Sequence, residues 1–239
     1  MPFFVANWKM NKTRGEARAF AERLGARLSR GVPAGVELAV APPLTALDAA
    51  RDPQGRWSLA AQNVASENAG AFTGEVSARM LADAGCRYAI VGHSERRHIY
   101  GEGGALFARK LARAREASLT PIYCMGETEA ERAEGATPEV LAAQAETLAG
   151  DPPDAPLVVA YEPVWAIGSG RAATPEDAGQ ARQEIARLLS GRRALRLLYG
   201  GSVNPGNAAD LLRRSGMDGF LIGGASLSPD DFAAIAGLP

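Results

Sequence analysis

Polar side chains that could carry out proton transfer follow several short apolar runs of the sequence. Asn7 and Lys9 stand at the end of the first run, His93 follows the fourth and Glu162 follows the sixth. Removing a proton from carbon beside a carbonyl group needs a base and groups that stabilise the developing oxyanion. A carboxylate, an imidazole and an ammonium brought to one place could supply both. This chemistry is the first functional hypothesis.

The strongest candidate for the base is Glu162. Residues 157–160 are apolar without polar alternation, which is typical of a parallel strand buried on both faces. Glu162 is followed by a segment that is apolar in its middle. A proline makes its first end stiff, and glycines make its far end flexible. We predict a hinged lid, although Glu162 could instead form a structural salt bridge with an arginine. The predicted lid residues are Pro163, Val164, Trp165, Ala166, Ile167, Gly168, Ser169 and Gly170.

Glycine pairs follow the seventh and eighth apolar runs, at 200–201 and 223–224. Glycines there let backbone amides approach a ligand closely. If the runs are the strands of a (β/α)8 barrel, the loops after the seventh and eighth strands are where such barrels commonly bind phosphate. We therefore expect a phosphorylated substrate. Each feature also has a structural interpretation: His93 alone could be a hydrogen-bonded core histidine, Lys9 a rim cation, and the glycines ordinary turns.

Eight apolar runs recur along the chain, and segments with helical periodicity separate them. In 239 residues this leaves about 30 residues per unit, the size of a βα pair. The sequence predicts a (β/α)8 TIM barrel of class α/β, with residues 1–239 as one catalytic domain. The rival is an open doubly wound sheet, but no G-x-G-x-x-G motif follows the first run. The predicted strands are 3–7, 37–41, 58–62, 88–92, 120–124, 157–161, 196–200 and 220–223.

Helix starts are marked by residues that can accept hydrogen bonds from free backbone amides. Thr13 with Glu16 forms a predicted capping box. Thr137, Thr174 and Ser228 each precede a proline, which predicts an N-cap followed by proline at the first helical position.

Composition limits the possible partners. With 26 basic and 27 acidic residues the net charge is −1, so no overall field favours nucleic acid or an anionic membrane. Cys86 and Cys124 are far apart and match no metal spacing, which favours structural thiols in a reducing cytoplasm. The amino terminus shows neither a signal peptide nor a membrane span. We expect a cytoplasmic protein without a metal site.

Several ordered stretches closely resemble the triosephosphate isomerase family, nearly from end to end. The resemblance implies an intramolecular aldose-ketose isomerase of glycolysis and gluconeogenesis that needs no cofactor. It interconverts dihydroxyacetone phosphate and D-glyceraldehyde 3-phosphate through an enediolate. The stretches are NWKMN at 7–11, AFTGE at 71–75, GHSERR at 92–97, PIYCMGE at 121–127, YEPVWAIGSG at 161–170, YGGSV at 199–203 and GGASL at 223–227.

The same resemblance implies a role for each site residue. Glu162 would move the proton between adjacent carbons, and His93, held neutral at a helix N-terminus, would act as the electrophile. Lys9 and Asn7 would bind substrate and stabilise negative charge on the reacting oxygens. Backbone amides at four further positions would hold the phosphate: Gly168 in the closed lid, Ser202, Gly223 and Gly224.

A long loop, residues 63–76, carries Phe72 near its tip. An exposed aromatic side chain is unfavourable unless a partner covers it, although the loop could fold onto its own barrel. In the resembling family this loop docks beside the neighbouring active site. The resemblance thus implies a homodimer, with Thr73 near the partner subunit's Asn7 and the partner subunit's Lys9.

Three other functions remain as alternatives. A metal-dependent sugar-phosphate epimerase needs several ligands, and His93 with His98 is not a plausible pair. A Schiff-base aldolase needs a lysine near the end of the sixth strand, where the sequence has none. A non-catalytic phosphate-binding barrel would have lost its chemistry, yet Glu162, His93 and Lys9 are all present.

Overall fold

The computed structural model describes residues 1–167 and 172–238, and parallel strands form a closed barrel at its centre. Neighbouring strands pair in sequence order, and the last pairs with the first. The predicted (β/α)8 barrel is confirmed. The strands are β1 (Phe3–Asn7), β2 (Glu37–Ala41), β3 (Ser58–Ala61), β4 (Cys86–Val91), β5 (Thr120–Met125), β6 (Leu157–Tyr161), β7 (Leu195–Tyr199) and β8 (Gly219–Ile222).

The strand predictions were wrong mainly at the carboxyl ends. Four predicted final residues, Gln62, Gly92, Gly200 and Gly223, lie just beyond the observed strands. Their backbones already turn into the loops at the barrel mouth; Gly92, for example, has a φ of +75°. Strand propensity does not show where the last ladder hydrogen bond forms, so the boundary is displaced by one residue.

Helices surround the barrel in the described residues. After β2 two short 3-10 turns, Leu44–Ala46 and Asp48–Ala50, replace the α-helix that the repeating unit predicts. No helix in the described chain has the length and apolar character needed to cross a membrane. The helices are α1 (Arg14–Arg27), α2 (Ala78–Asp83), α3 (Ser94–His98), α4 (Gly104–Glu116), α5 (Glu129–Ala133), α6 (Thr137–Ala145), α7 (Pro175–Leu188), α8 (Ala208–Ser215) and α9 (Pro229–Ile235).

Three of the four predicted caps are confirmed. Thr13 forms the capping box with Glu16, and Thr174 and Ser228 cap α7 and α9 through their side chains. The prediction for Thr137 was wrong. Thr137 is itself the first residue of α6, because the chain already turns at Ala136, whose ψ is 8°.

The core has two layers because every strand is covered on both faces. Phe3, Val5 and Ile90 belong to the layer in which residues of different strands pack together, whereas Phe4 and Val91 belong to the layer that includes helix residues. Consecutive residues of a strand thus serve different layers, and both must be apolar. This explains why the strands appear in the sequence as continuous apolar runs.

A polar cluster ties three strands together at the amino-terminal end of the barrel. Arg196 on β7 donates to Glu37 of β2 over 2.6 Å and to the Tyr88 hydroxyl of β4 over 3.2 Å. Tyr88 also donates to Glu37. Although burial raises the pKa of Glu37, these two donors hold that pKa below its usual value. The chemistry predicted from the sequence lies at the opposite end.

Candidate active site

A cavity of about 240 Å³ lies at the carboxyl ends of the strands. It is smaller than the pockets of about 300–1,000 Å³ that hold drug-sized ligands, which favours a small substrate. A larger groove of about 760 Å³ runs beside α1 and contains none of the predicted site residues. The lining of the mouth cavity is Asn7, Lys9, His93, Glu162, Ile167, Gly200, Gly201, Ser202, Val203, Leu221, Gly223, Gly224 and Ala225.

The cavity therefore brings together all the predicted catalytic residues. It also contains the predicted phosphate-binding residues Ser202, Gly223 and Gly224. Gly168, with Ser169 and Gly170 of the predicted lid, lies outside the described residues.

Glu162 and His93 contact each other at the floor of this cavity. The Nε2 atom of His93 lies 3.0 Å from Oε1 of Glu162, and the two residues are only 5% and 2% exposed. The backbone amide of Ser94 donates to Oε2 of the same carboxylate over 2.7 Å. Both carboxylate oxygens thus have a donor within hydrogen-bonding distance.

The backbone of α3 determines which nitrogen of His93 faces the cavity as a donor. His93 is the N-cap of this helix, and its Nδ1 accepts a hydrogen bond from the Glu95 amide over 3.3 Å. A nitrogen that accepts an N–H cannot itself carry a proton. In the neutral ring the proton therefore sits on Nε2, which points at Glu162.

The surroundings of this pair shift both pKa values. Burial raises the pKa of a carboxyl group, yet the pKa of Glu162 is held below its usual value because His93, the Ser94 amide and Lys9 favour the carboxylate. Burial likewise disfavours a charged imidazole, but the negative charge of Glu162 raises the pKa of His93. Glu162 is therefore ionised, as a general base must be.

Lys9 reaches the cavity from a strained turn after β1. Its φ is +52°, a conformation that is uncommon outside glycine and costs about 1–3 kcal/mol. The turn is supported by Asn7, whose side chain accepts from the Lys9 amide, and by Gln62, which donates to the Lys9 carbonyl over 2.8 Å. The ammonium group forms an ion pair of 2.8 Å with Glu95. The supported turn and the ion pair together hold the ammonium group of Lys9 at the cavity.

The described part of the predicted lid begins with a 3-10 turn, Val164–Ala166. The indole N–H of Trp165 donates to Glu127 over 2.9 Å, and the Tyr161 hydroxyl donates to the same oxygen. The amide and hydroxyl of Ser202 both donate to the Ala166 carbonyl, over 3.0 and 2.6 Å. The lid segment is thus hydrogen-bonded both to the loop after β5 and to the loop after β7.

Two glycines after β7 are required by close packing. A side chain at Gly200 would place its Cβ 2.9 Å from Cγ of Glu162, and one at Gly201 would overlap the Tyr199 hydroxyl at 2.2 Å. That hydroxyl accepts from the Ala173 amide beyond the lid. The loop therefore leaves room for the carboxylate of Glu162.

The donor set at the mouth does not fit a metal ion. Within residues 1–167 and 172–238, no group of three or more His, Cys, Asp or Glu side chains could hold one. His98 is exposed at the end of α3 and is absent from the cavity lining, whereas His93 is buried. The histidine pair considered for a metal-dependent epimerase does not form.

Sequence reasoning missed two acidic residues of the site, Glu95 and Glu127. Glu95 pairs with Lys9 and supplies the amide that orients His93, and the fully buried Glu127 holds Trp165. Glu127 carried a signal similar to that of Glu162, because it is an acidic residue two positions beyond the end of a buried strand. Glu95 lies in a charged stretch and offered no comparable signal.

Comparison with known proteins agrees with this geometry. The sequence model of the family described as Triosephosphate isomerase matches residues 2–238. The chain belongs to the triosephosphate isomerase family. It is 48% identical to the triosephosphate isomerase of Thermus thermophilus, with 97% of this chain and 96% of the relative covered. It is 49% identical to that of Halorhodospira halophila, with 97% and 95% covered.

Proposed function

We propose that Glu162, His93, Lys9 and Asn7 carry out the isomerisation of a triose phosphate at the barrel mouth. As a member of this family, the chain is an isomerase that interconverts dihydroxyacetone phosphate and D-glyceraldehyde 3-phosphate. This is a step of glycolysis and gluconeogenesis. The observation that carries the assignment of roles is the contact of 3.0 Å between Nε2 of His93 and Oε1 of Glu162.

The ionised Glu162 removes a proton from the carbon next to the carbonyl group. Negative charge develops on the carbonyl oxygen, where Nε2–H of His93 and the ammonium of Lys9 stabilise the enediolate. Asn7, which is buried beside Lys9, binds the substrate oxygens. The hydroxyl proton on the first carbon passes to the former carbonyl oxygen through Nε2 of His93. The protonated Glu162 returns its proton to the neighbouring carbon, and the new carbonyl group forms at the first carbon, so a single carboxyl group serves as base and then as acid.

His93 acts as a neutral electrophile during this step. Burial lowers the pKa of His93, but the carboxylate of Glu162 and, to a smaller extent, that of Glu95 raise it on balance. A substrate oxygen that accepts from Nε2 separates the ring from Glu162 and removes the larger of these two causes. Burial and the Glu95 amide on Nδ1 then both favour the neutral ring.

The phosphate is held by backbone amides at Gly168, Ser202, Gly223 and Gly224. Gly223 precedes the 3-10 turn Gly224–Leu227 at the edge of the cavity, where free amides favour an anion. The Ser202 amide is bonded to Ala166 of the lid. Phosphate binding at this amide therefore requires that the lid segment move, which links substrate binding to lid movement.

The enzyme acts as a homodimer in the cytoplasm, with residues 1–239 as one catalytic domain. Exposed apolar side chains support the dimer: Phe72 of the 63–76 loop is 48% exposed, Tyr100 66% and Met10 94%. A second copy that receives the 63–76 loop would cover such a surface. This arrangement brings Thr73 towards the partner subunit's Lys9.

The test is a coupled enzyme assay with D-glyceraldehyde 3-phosphate on Glu162→Gln. The amide cannot accept the proton, so kcat falls by about 100- to 10,000-fold, whereas competitive inhibition by inorganic phosphate is kept. Glu139→Gln makes the same change at an exposed position of α6 and leaves kcat unchanged. Equal rates in Glu162→Gln and the parent would remove Glu162 from its role and favour a different base.

A further inference from the structure

The side chain of Gln144 forms hydrogen bonds with both backbone polar groups of Gly126, just beyond the end of β5. Its Oε1 accepts from the Gly126 amide over 2.8 Å, and its Nε2 donates to the Gly126 carbonyl over 3.0 Å. Gly126 lies just beyond β5 and is buried, so its backbone groups need partners there. Gln144, on α6, supplies both.

Gly126 lies directly against the backbone of the proposed base. A Cβ at Gly126 would stand 1.8 Å from the carbonyl oxygen of Glu162 and 2.5 Å from its carbonyl carbon. No side chain fits between the two segments. The position of Gly126 therefore determines how closely Glu162 can approach β5.

The residues on both sides of Gly126 bond the segment that contains Glu162. The Glu162 amide donates to the Met125 carbonyl over 2.7 Å, and the Val164 amide donates to the Glu127 carbonyl over 3.0 Å. Residues 125–127 thus hold both the base and the first residue of the lid turn. Gln144 is hydrogen-bonded to Gly126, the middle residue of this segment.

A second set of contacts connects the same segment to His93. The Tyr123 hydroxyl donates to the Gln144 carbonyl and accepts from Arg97. Arg97 also donates to the Cys124 carbonyl over 2.8 Å and to the Gly92 carbonyl over 2.9 Å. Gly92 immediately precedes His93. The ends of β4 and β5 are therefore joined through one hydrogen-bonded network that includes Gln144.

We propose that Gln144 is a positioning residue that fixes the separation of Glu162 and His93 through the Gly126 peptide. Gln144 is absent from the cavity lining, so it acts only through the backbone. The proposal rests on the proposed role of Glu162 as the base. A displacement of about 1 Å at a reacting group can reduce the rate about 100-fold, so a support of this kind has a measurable effect.

The test compares Gln144→Met, Gln144→Glu and Gln144→Ala with the parent. Methionine fills nearly the same volume but makes neither hydrogen bond to Gly126. We expect Gln144→Met and Gln144→Ala to lose about 10- to 100-fold in kcat, with KM and inhibition by inorganic phosphate within about twofold of the parent. Gln144→Glu keeps the acceptor for the Gly126 amide, and its kcat should recover part of the loss.

Gln183→Ala is the matched control, because this glutamine of α7 is exposed. It should keep the kcat of the parent. Folding is monitored for each variant by thermal unfolding, and kcat is measured per folded active site. The methionine variant tests the positioning role even if the alanine variant is unstable, because methionine fills the space that the Gln144 side chain occupies.

Two results would overturn the proposal. One is a kcat for Gln144→Met equal to that of Gln183→Ala. The other is a parallel loss of kcat and phosphate binding, which would indicate general disruption of the mouth. If Glu162→Gln is inactive while Gln144→Met is fully active, only the positioning role fails. If Glu162→Gln is active, the assignment of the base fails first.

Discussion

The backbone amide of Ser94 donates to Oε2 of Glu162 over 2.7 Å. This contact places the proposed base against the first turn of α3, whose N-cap is the proposed electrophile. The base and the electrophile are therefore held by one short helix. Their electrostatic properties depend on each other, and this dependence can be measured.

Titration of the Glu162 carboxyl group tests that dependence. Its pKa is lowered, so the carboxylate persists below the value of about 4.3 that is usual for glutamate and is lost only at lower pH. His93→Gln removes the charge that contributes most to the lowering. The titration midpoint of the 13C-labelled carboxyl group should therefore rise in this variant. Identical midpoints in the two proteins would show that His93 does not influence the base.

Loss of the contact between Trp165 and Glu127 should impair the lid. Trp165→Phe removes the indole donor and leaves an aromatic ring at the same position of the turn. We expect kcat to fall by about 3- to 30-fold, since mutations that disturb a lid change kcat and KM together. Trp57→Phe is the control, because Trp57 donates to Ala50 and does not line the cavity. Similar kinetics in the two variants would contradict a role for Trp165 in the lid.

Much of the fold follows from the sequence because a barrel strand must be apolar on both faces. Leu157–Tyr161 and Phe3–Asn7 were predicted with their observed bounds, since each apolar run ends where the chain reaches the mouth. The connection after β2 was not predicted. There Pro42 and Pro43 precede two 3-10 turns, and proline limits the backbone hydrogen bonds that an α-helix could form.

The site was predictable only where residue type itself reveals the chemistry. Glu162 and Lys9 were recognisable because a charge within two residues of the end of a buried strand is unusual. Gln144 acts through hydrogen bonds to the backbone of Gly126, which lies 18 positions away in the sequence. A pattern of residue types cannot show such a contact, because it depends on how α6 packs beside β5.

Low pH should lower the stability of the fold by protonating Asp151. Its carboxylate accepts from Arg115 and Arg192, over 2.8 Å in each case, and is almost fully buried. Burial raises the pKa of Asp151, but the two arginines lower it by a larger amount, so the net shift is downward. A lowered pKa stabilises the fold above the unfolded value of about 3.9, and this stability is lost as pH falls through the folded value.

Asp151→Asn should therefore lower the free energy of unfolding by about 2–4 kcal/mol at pH 7, and the difference from the parent should shrink below pH of about 4. Urea unfolding at both pH values measures this. Asp154→Asn in the same loop is the control, because Asp154 is 68% exposed and its pairing with Arg193 is worth less than about 1 kcal/mol. Equal effects of the two substitutions would contradict the importance of burial at Asp151.

The proposed dimer depends on the apolar tip of the 63–76 loop. Phe72→Glu places a charge where a partner surface is proposed, so sedimentation velocity at micromolar concentration should shift from dimer towards monomer. Phe72→Leu keeps an apolar side chain and should remain dimeric. A parent protein that sediments as a monomer would refute the proposed interface.

The fate of the substrate proton tests the role of Glu162 most directly. The reaction of dihydroxyacetone phosphate is followed by 1H NMR in D2O with the parent, Glu162→Gln and Glu139→Gln. We predict that the parent and Glu139→Gln form D-glyceraldehyde 3-phosphate with deuterium at the carbon next to the aldehyde, whereas Glu162→Gln shows a loss of turnover of about 100- to 10,000-fold. Deuterium incorporation at the parent rate in Glu162→Gln would contradict the assignment of this carboxylate as the base.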